Sequence, residues 1–292
     1  MGMLKYALFT GCTVYGATPE LLKSTMAVAE KLGIDLQILK EATCCGASHL
    51  QDFDDGLATV LNARTLCYAE AKGLEIVTIC NTCQLNLARV ADKLNNDEEA
   101  RAKVNEKLAE VGLKYHGTVR VRHFLYALRD DFGYDKIAEL VEKPLKDFNI
   151  AAFYGCHNIR PSKLHEEATR GENPYVPTSL DELIKALGAN AVDYESKNKC
   201  CGFHVELQAP KTANALSGNA ISDAADQGAD FMVTPCPLCQ MRMDIGQKHA
   251  AKTIGRELNL PVLHMPQMVG LALGIEPRKL GLYHNIVEPK FV

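Results

Sequence analysis

The sequence has no tryptophan and no long hydrophobic run. Its longest apolar stretch, from Met268 to Ile275, is interrupted by glycines and is far shorter than the ~20 residues that span a bilayer. The segment from Met1 to Cys12 has too few consecutive apolar residues to be a signal peptide. We therefore expect a cytoplasmic protein without a membrane span.

The sequence also lacks a surplus of basic residues, with 32 Lys and Arg against 36 Asp and Glu and a formal net charge of −4. A nucleic-acid partner consequently has no electrostatic support. Neither a Gly-x-Gly-x-x-Gly motif nor a Gly-x4-Gly-Lys-Ser/Thr motif occurs. The sequence therefore indicates no flavin or nucleotide site.

Cysteine, in contrast, is abundant, with 11 residues in a chain of 292. Small secreted proteins use many cysteines in disulfides, but those proteins are short and begin with an export signal. In a reducing compartment, thiols in this number indicate metal ligands or redox groups more than structural disulfides. The cysteines are therefore the first candidates for a functional site.

Ten of the eleven cysteines form two sets with the same order: a single Cys, a Cys-Cys-Gly triplet and a Cys-x-x-Cys pair. The first set is Cys12, Cys44, Cys45, Cys80 and Cys83, and the second set is Cys156, Cys200, Cys201, Cys236 and Cys239. Triplet and pair have the same spacing in both sets, whereas the second set has 12 more residues before its triplet. This regularity indicates an internal duplication. We expect a first domain at 1–148 with a helical extension, and a second domain at 149–292 with a C-terminal tail.

Short apolar runs alternate with amphipathic segments in both halves, which predicts strands that alternate with helices. The predicted strands are 5–9, 36–39, 75–79, 150–154, 192–194 and 231–234, with a short strand-like segment at 119–121. The predicted helices are 19–32, 54–71, 81–94, 179–187 and 211–227, with one more after Cys236. This pattern is typical of the α/β class, here two duplicated Rossmann-like βαβ domains with parallel sheets.

The parallel sheets give the cysteines a common location. All strands of such a sheet end at one edge, where open α/β sheets bind ligands. We therefore expect the five thiols of each half to meet at the carboxyl ends of the strands. Cys80 and Cys83 also open a helix, whose free N–H groups and dipole favour thiolates.

Three kinds of site fit part of this pattern. Structural zinc takes four ligands in a tetrahedron and leaves one thiol of each set unused. A thioredoxin-type Cys-x-x-Cys uses two thiols and leaves three. Adjacent side chains such as Cys44 and Cys45 diverge and reach metal most readily when several metal atoms are present, which favours an iron–sulfur cluster.

The cysteine pattern, repeated along one chain, closely resembles the tandem cysteine-rich (CCG) domains in the B subunit of heterodisulfide reductase from methanogens. The resemblance covers nearly the whole chain. It implies one non-cubane [4Fe-4S] cluster on each five-cysteine set. It also implies a catalytic subunit of methanogenesis that reduces the mixed disulfide of coenzyme M and coenzyme B to two thiols.

Several further expectations follow from the resemblance. The two clusters would face each other across a pseudo-twofold interface, and each would supply one of the two electrons. The implied partners are the C subunit of heterodisulfide reductase with its cubane clusters, the flavin-containing A subunit, and a hydrogenase or formate dehydrogenase behind them. Related CCG domains serve thiol:fumarate reductase and hydroxy-acid oxidation. An iron–sulfur subunit of another such oxidoreductase therefore stays open, as does a zinc-stapled scaffold subunit.

Histidines and cations near the cysteines are further candidate site residues. His49, His157 and His204 are candidate proton donors or hydrogen-bond donors to sulfur. Arg160 and Lys163 follow Cys156 in the sequence and are candidates to bind an anionic tail of the substrate. A solvated helix start is the alternative interpretation of these two cations.

Other conspicuous residues are expected to be structural. Cys67 has no counterpart in the second half, where Asp223 occupies the equivalent position, and we predict a buried structural thiol. His123 and His264 occupy corresponding places in the two halves and are predicted to be core histidines. The segment from Gly281 to Val292 is either a docking strap or a simple surface tail.

Overall fold

The computed structural model describes residues 3–47, 49–162 and 171–290. It contains two four-stranded sheets in which every neighbouring pair of strands is parallel. The strands are β1 (Lys5–Phe9), β2 (Asp35–Ile38), β3 (Ile76–Thr78), β4 (Val121–His123), β5 (Asn149–Ala152), β6 (Asn190–Val192), β7 (Phe231–Thr234) and β8 (Val262–His264). Their orders are β2-β1-β3-β4 and β6-β5-β7-β8, so the two sheets have the same topology. The predicted α/β class with duplicated parallel sheets is confirmed.

Helices connect the strands of both sheets. In the first half they are α1 (Pro19–Leu32), α2 (His49–Phe53), α3 (Asp55–Glu70), α4 (Asn81–Asn96), α5 (Glu98–Ala109), α6 (Phe124–Ala127) and α7 (Tyr134–Glu139). In the second half they are α8 (Cys156–Ile159), α9 (Ser179–Ala186), α10 (Pro210–Asp226), α11 (Pro237–Met243), α12 (Gln247–Ile254) and α13 (Met265–Ala272). None of the helices in the described ranges is long and apolar enough to cross a membrane.

The helix boundaries follow from local sequence. Helix α1 begins with Pro19, whose missing N–H costs nothing at that position, and ends at Gly33, which has a φ of 68°. Helix α3 is capped by Asp54, whose carboxylate accepts a hydrogen bond from the Leu57 amide at 2.8 Å. The boundaries of both helices agree with the sequence prediction to within one residue.

Three edge strands, β4, β6 and β8, were the least predictable elements. Strand β4 lies two residues beyond the expected segment at 119–121, β6 lies two residues before the expected strand at 192–194, and β8 was not predicted at all. Each of these strands has only three residues, so too few positions are available to show a clear period in the sequence.

The two halves share their hydrophobic interior. One face of both sheets contributes to one apolar cluster, which contains Leu8 and Val77 together with Ile150 and Phe231. The opposite faces contribute to a second cluster, with Ala7 and Ile76 beside Ala151 and Met232. Alternate strand residues therefore point to opposite sides, as the strand period requires. Because both clusters include residues of both sheets, the halves are packed against each other.

Candidate functional site

The cysteines follow the carboxyl ends of the parallel strands, as the strand pattern predicted. Cys12 comes after β1 and Cys156 after β5. Cys80 and Cys236 follow β3 and β7 and are the residues before the first turns of α4 and α11. Each Cys-x-x-Cys pair therefore lies at a helix N-terminus, where unpaired backbone N–H groups favour thiolates.

The sulfurs pair in the same way in both halves. In the first half the Sγ atoms of Cys12 and Cys44 are 3.7 Å apart, and those of Cys45 and Cys83 are 3.4 Å apart. The same hydrogen bonds in the second half join Cys156 to Cys200 and Cys201 to Cys239. Among the residues that the structure describes, no group of three or more His, Cys, Asp or Glu side chains is arranged as the ligands of a single metal ion.

The two cysteine sets meet at the interface between the halves. A hydrogen bond joins the thiols of Cys80 and Cys236, which belong to different sets. The Asn81 backbone N–H donates to the Cys236 sulfur, and the Asn81 side-chain amide donates to the Tyr154 carbonyl at 2.7 Å. Since Asn81 follows Cys80 and Tyr154 precedes Cys156, these contacts fix the two sets against each other.

The first cysteine of each triplet has a strongly lowered pKa, and in the second set the pKa of Cys236 is strongly lowered as well. Hydrogen bonds from Cys12 and Cys45 lower the pKa of the Cys44 thiol to about 2, and the Gly46 backbone N–H adds to this effect. Hydrogen bonds from the equivalent neighbours and from the Gly202 N–H lower the pKa of the Cys200 thiol to about 2. The first cysteine of each triplet therefore favours the thiolate, the form that binds metal.

Gly155 illustrates how closely the second set is packed. Its φ is 72°, in the left-handed region that favours glycine. A Cβ at this position would lie 2.6 Å from the Asn81 amide nitrogen and 3.0 Å from the Cys239 sulfur. Gly11, the equivalent residue in the first half, has a φ of 75°, and a Cβ there would lie 3.3 Å from the Cys83 sulfur. Glycine therefore lets the backbone approach a cysteine of the Cys-x-x-Cys pair in both halves.

The three candidate histidines come together beside the cysteines. The Thr82 hydroxyl lies 3.0 Å from His157 Nδ1 and 3.4 Å from His204 Nε2. The His157 and His204 ring centroids are 4.4 Å apart, and the His49 ring is 6.1 Å from that of His204. Thr82 lies inside the first Cys-x-x-Cys pair, directly before Cys83. The first half therefore supplies a hydroxyl group to two imidazoles that lie next to cysteines of the second half.

Burial favours the neutral form of the His204 imidazole. Burial lowers the pKa of His204, because the charged ring loses its hydration inside the protein. Its Nδ1 atom is buried and has no hydrogen-bond partner within the described part of the chain. A buried polar atom without a partner is costly, and such atoms occur at functional sites.

Arg160 and Lys163 are the two cations that the sequence suggested for anion binding. The Arg160 guanidinium donates a hydrogen bond to the Asn198 carbonyl, and the side chain is exposed. Lys163 lies outside the described residues. An anion-binding role for either cation stays a prediction.

His123 and His264 are fully buried, as predicted. His123 has both ring nitrogens engaged: Nε2 lies 3.0 Å from the Pro235 carbonyl, and Nδ1 accepts a hydrogen bond from the Leu125 amide at 3.1 Å. Burial lowers the pKa of His123 to about 4. The neutral His123 imidazole therefore reaches across the interface between the halves and forms a hydrogen bond with Pro235, the residue that precedes Cys236. His264 also crosses the interface, since its Nε2 lies 3.0 Å from a carboxylate oxygen of Glu20.

The His123 contact predicts a pH-dependent stability. The folded-state pKa of about 4 lies below the usual value near 6.5, so the unfolded chain binds the extra proton as the pH falls. The contribution of His123 is present above about pH 6.5 and is lost toward pH 4. We expect the unfolding free energy of the wild type to fall by about 3 kcal/mol more over this range than that of His123→Gln. Denaturant titrations at pH 7 and pH 4 measure the difference, and equal losses in the two proteins would contradict it.

Cys67 is buried, as predicted, and burial raises the pKa of its thiol to about 11. The described part of the C-terminal tail is tied to the second half: the Asp244 carboxylate accepts hydrogen bonds from the Ile286 and Val287 amides at 2.8 and 2.9 Å. Asp244 directly follows α11, so this anchor lies at the far end of the helix that begins after Cys236. Both the strap and the surface-tail interpretations are compatible with this geometry.

Comparison with known proteins places these features in a family. A family model described as "CCG: Cysteine-rich domain" matches residues 6–88 and 150–244. The chain is 40% identical over 284 residues to the 8-methylmenaquinol:fumarate reductase membrane anchor subunit of Wolinella succinogenes, covering 97% of each chain. It is 36% identical over 289 residues to the B subunit of the ferredoxin/F420H2-dependent CoB-CoM heterodisulfide reductase of Methanosarcina acetivorans, covering 98% of this chain and 95% of that one.

A solved structure has the same fold. It is a hypothetical protein from Helicobacter pylori, with a TM-score of 0.79 and 19% sequence identity. The match covers 100% of this chain and 53% of that one.

Proposed function

The chain belongs to the family of cysteine-rich CCG domains, and we propose that it is the iron–sulfur catalytic subunit of an oxidoreductase complex that reduces a disulfide. The substrate that we propose is the mixed disulfide of coenzyme M and coenzyme B. One observation carries the proposal: two complete sets of five cysteines meet through Cys80 and Cys236. A disulfide has two sulfurs to be reduced, and the site has two equivalent centres side by side.

The residues of each set fit an iron–sulfur cluster. All ten cysteines are free thiols, and in each half they form the same short sulfur contacts. Cys44, Cys200 and Cys236 favour the thiolate, the form that ligation requires. We propose that each set holds a non-cubane [4Fe-4S] cluster, because five thiolates exceed the needs of a mononuclear site.

The reaction requires two electrons and two protons for each disulfide, and it yields two thiols. When bound, iron–sulfur clusters supply electrons one at a time. The chain's own residues would handle the protons. We propose that His157 Nδ1 donates to the Thr82 hydroxyl, which donates to His204 Nε2, so that the His204 proton lies on Nδ1. That buried N–H has no partner in the described residues and would give its proton to a product sulfur while Nε2 takes one from the Thr82 hydroxyl and the hydroxyl takes one from His157, so that His204 stays neutral. Solvent would resupply His157 after each transfer, so that the second sulfur is protonated in the same way.

Electrons must reach this chain from outside, because its sequence has no flavin or nucleotide motif. We propose a partner subunit with cubane clusters and, behind it, a flavin-containing subunit with a hydrogenase or formate dehydrogenase. The boundary between the two cysteine-rich domains is proposed near residue 149, where β5 begins.

A second candidate function is supported by the Wolinella relative, whose name assigns it to a fumarate reductase that uses 8-methylmenaquinol. In that case the two cysteine centres would take part in electron transfer between a quinol and fumarate, and no disulfide would be the substrate. The cysteine geometry fits both reactions, because each needs two one-electron centres in contact.

Metal analysis and activity of the anaerobically purified complex test the proposal. We expect about eight iron atoms per chain, about four for each set. With a reduced viologen dye as electron donor, we expect turnover of the coenzyme M–coenzyme B disulfide and little turnover of simple disulfides. One zinc per set in a colourless protein would indicate a scaffold protein instead. Iron without disulfide turnover, combined with quinol-dependent fumarate reduction, would support the second candidate.

A further inference from the structure

The surroundings of the two cysteine sets differ, although the sets themselves repeat. We propose that Asn86 gives the first centre a higher reduction potential than the second, by donating a hydrogen bond to the sulfur of Cys45. The inference rests on the proposed iron–sulfur function. It adds an order of reduction, since the first centre would accept an electron before the second.

Asn86 is held firmly in place beside the first set. Its side chain is 1% exposed, and its amide nitrogen lies 3.2 Å from the Cys45 carbonyl and 3.6 Å from the Cys45 sulfur. Asn86 lies one turn after Cys83 on α4, and side chains three residues apart share a helix face. The Cys83 sulfur itself lies 3.4 Å from that of Cys45. The amide is therefore aimed at the point where two cysteines of the set meet.

In the described part of the second half, the corresponding side chain has other partners. The residue that corresponds to Asn86 in the duplicated sequence is Arg242, three residues after Cys239. Its guanidinium donates to the Glu206 carboxylate at 3.0 Å and to the Asn214 side-chain oxygen. The Arg242 side chain thus forms an ion pair with Glu206. The backbone N–H groups that donate to the second cysteine of the triplet, in contrast, occur in both halves.

A hydrogen bond to a ligand sulfur changes the potential of an iron–sulfur cluster. The reduced cluster carries one more negative charge than the oxidised cluster, and a donor to sulfur stabilises that added charge. Loss of the Asn86 donor should therefore disfavour reduction of the first centre and leave the second unchanged. Two centres that differ in potential would be reduced in sequence as electrons arrive.

The test compares Asn86→Leu with Asn62→Leu in the complete complex. Asn62 is a matched control, because its side-chain amide donates to the same Cys45 carbonyl at 3.1 Å but makes its other bond to the Ala58 carbonyl. In a redox titration followed by electron paramagnetic resonance, we expect the wild type to show two reduction steps. In Asn86→Leu the step at higher potential should shift in favour of the oxidised state by about tenfold, or ~59 mV for one electron. Asn62→Leu should leave both steps in place.

A second variant guards against a failure of Asn86→Leu to fold. Asn86→Asp has nearly the same shape and removes the same donor, so the same step should move in the same direction. If the Asn86 variants retain iron and both steps stay at their wild-type potentials, the inference is wrong while the proposed function stands. If both steps move together, Asn86 does not distinguish the two centres and the inference is equally wrong. A wild-type complex without iron would overturn the proposed function and this inference with it.

Discussion

Replacing Cys200 by serine is expected to remove the iron of the second set and to stop disulfide reduction. Cys200 favours the thiolate: hydrogen bonds from Cys156 and Cys201 and the Gly202 N–H at 3.3 Å lower its pKa to about 2. A serine hydroxyl stays protonated in the same place and is a poor ligand for iron. Outer contacts of metal ligands are worth about 10- to 100-fold in activity, so loss of the ligand itself should reduce turnover by more than about 100-fold.

Iron analysis and activity of the anaerobically purified complex check this prediction. The iron content should fall to about half, because the first set is intact. Cys67→Ala provides the control, since Cys67 is a buried free thiol that lies outside both sets. It should retain full iron and nearly full turnover. Full iron content in Cys200→Ser would show that Cys200 is not a ligand, and half the iron with undiminished turnover would show that one centre is sufficient.

The fold was predictable because its signals are local and occur twice. The helix α1 is bounded by Pro19 and Gly33, and the strand Lys5–Phe9 is a continuous apolar run after one lysine. The equal spacing of the triplet and pair in both halves is enough to indicate the duplication. The edge strands β4 and β6 were misplaced and β8 was missed because three residues are too few to display a period.

The clustering of the ten cysteines was predictable for a topological reason. Parallel strands end at one edge, so cysteines that follow successive strands must lie near one another. The contacts between the halves were not predictable in this way. Thr82, Asn81 and His123 each reach across the interface, and their partners are more than 70 residues away in the sequence. Such pairs depend on how the two sheets pack, which no local pattern records.

The duplication itself concealed the most informative differences. Leu238 occupies the position equivalent to Thr82, and Thr13 and Ser48 occupy those equivalent to His157 and His204. The hydroxyl and the two imidazoles are therefore not repeated in the duplicated sequence. A comparison of the two halves for positions that fail to repeat would have drawn attention to these residues and to Asn86. The ten cysteines repeat between the two halves, whereas the residues around them differ and so distinguish one cysteine set from the other.

The replacement of His204 by phenylalanine is expected to lower kcat by about 100-fold or more, with little change in KM. General acid catalysis contributes about 10²- to 10⁴-fold, and beside the cysteines His204 offers a buried Nδ1 that has no partner in the described residues. Phenylalanine preserves the ring that packs beside Phe203 and His157. The iron content and the stability of the complex should therefore be nearly unchanged, so that the loss reports proton transfer and not disruption of the site.

Two further variants separate a proton donor from the residues that orient it. Thr82→Val removes the hydroxyl at 3.4 Å from His204 Nε2 and should lower kcat less than His204→Phe, because Nδ1 remains available. The His49 ring lies 6.1 Å from that of His204 and forms no hydrogen bond to Thr82 in the described part of the chain. His49→Phe should therefore have the smallest effect on kcat. Steady-state kinetics with the disulfide and a reduced viologen dye give the order of the three. If His49→Phe has the largest effect and His204→Phe has none, the donor is His49. In that case, the unpartnered nitrogen of His204 has no part in the reaction.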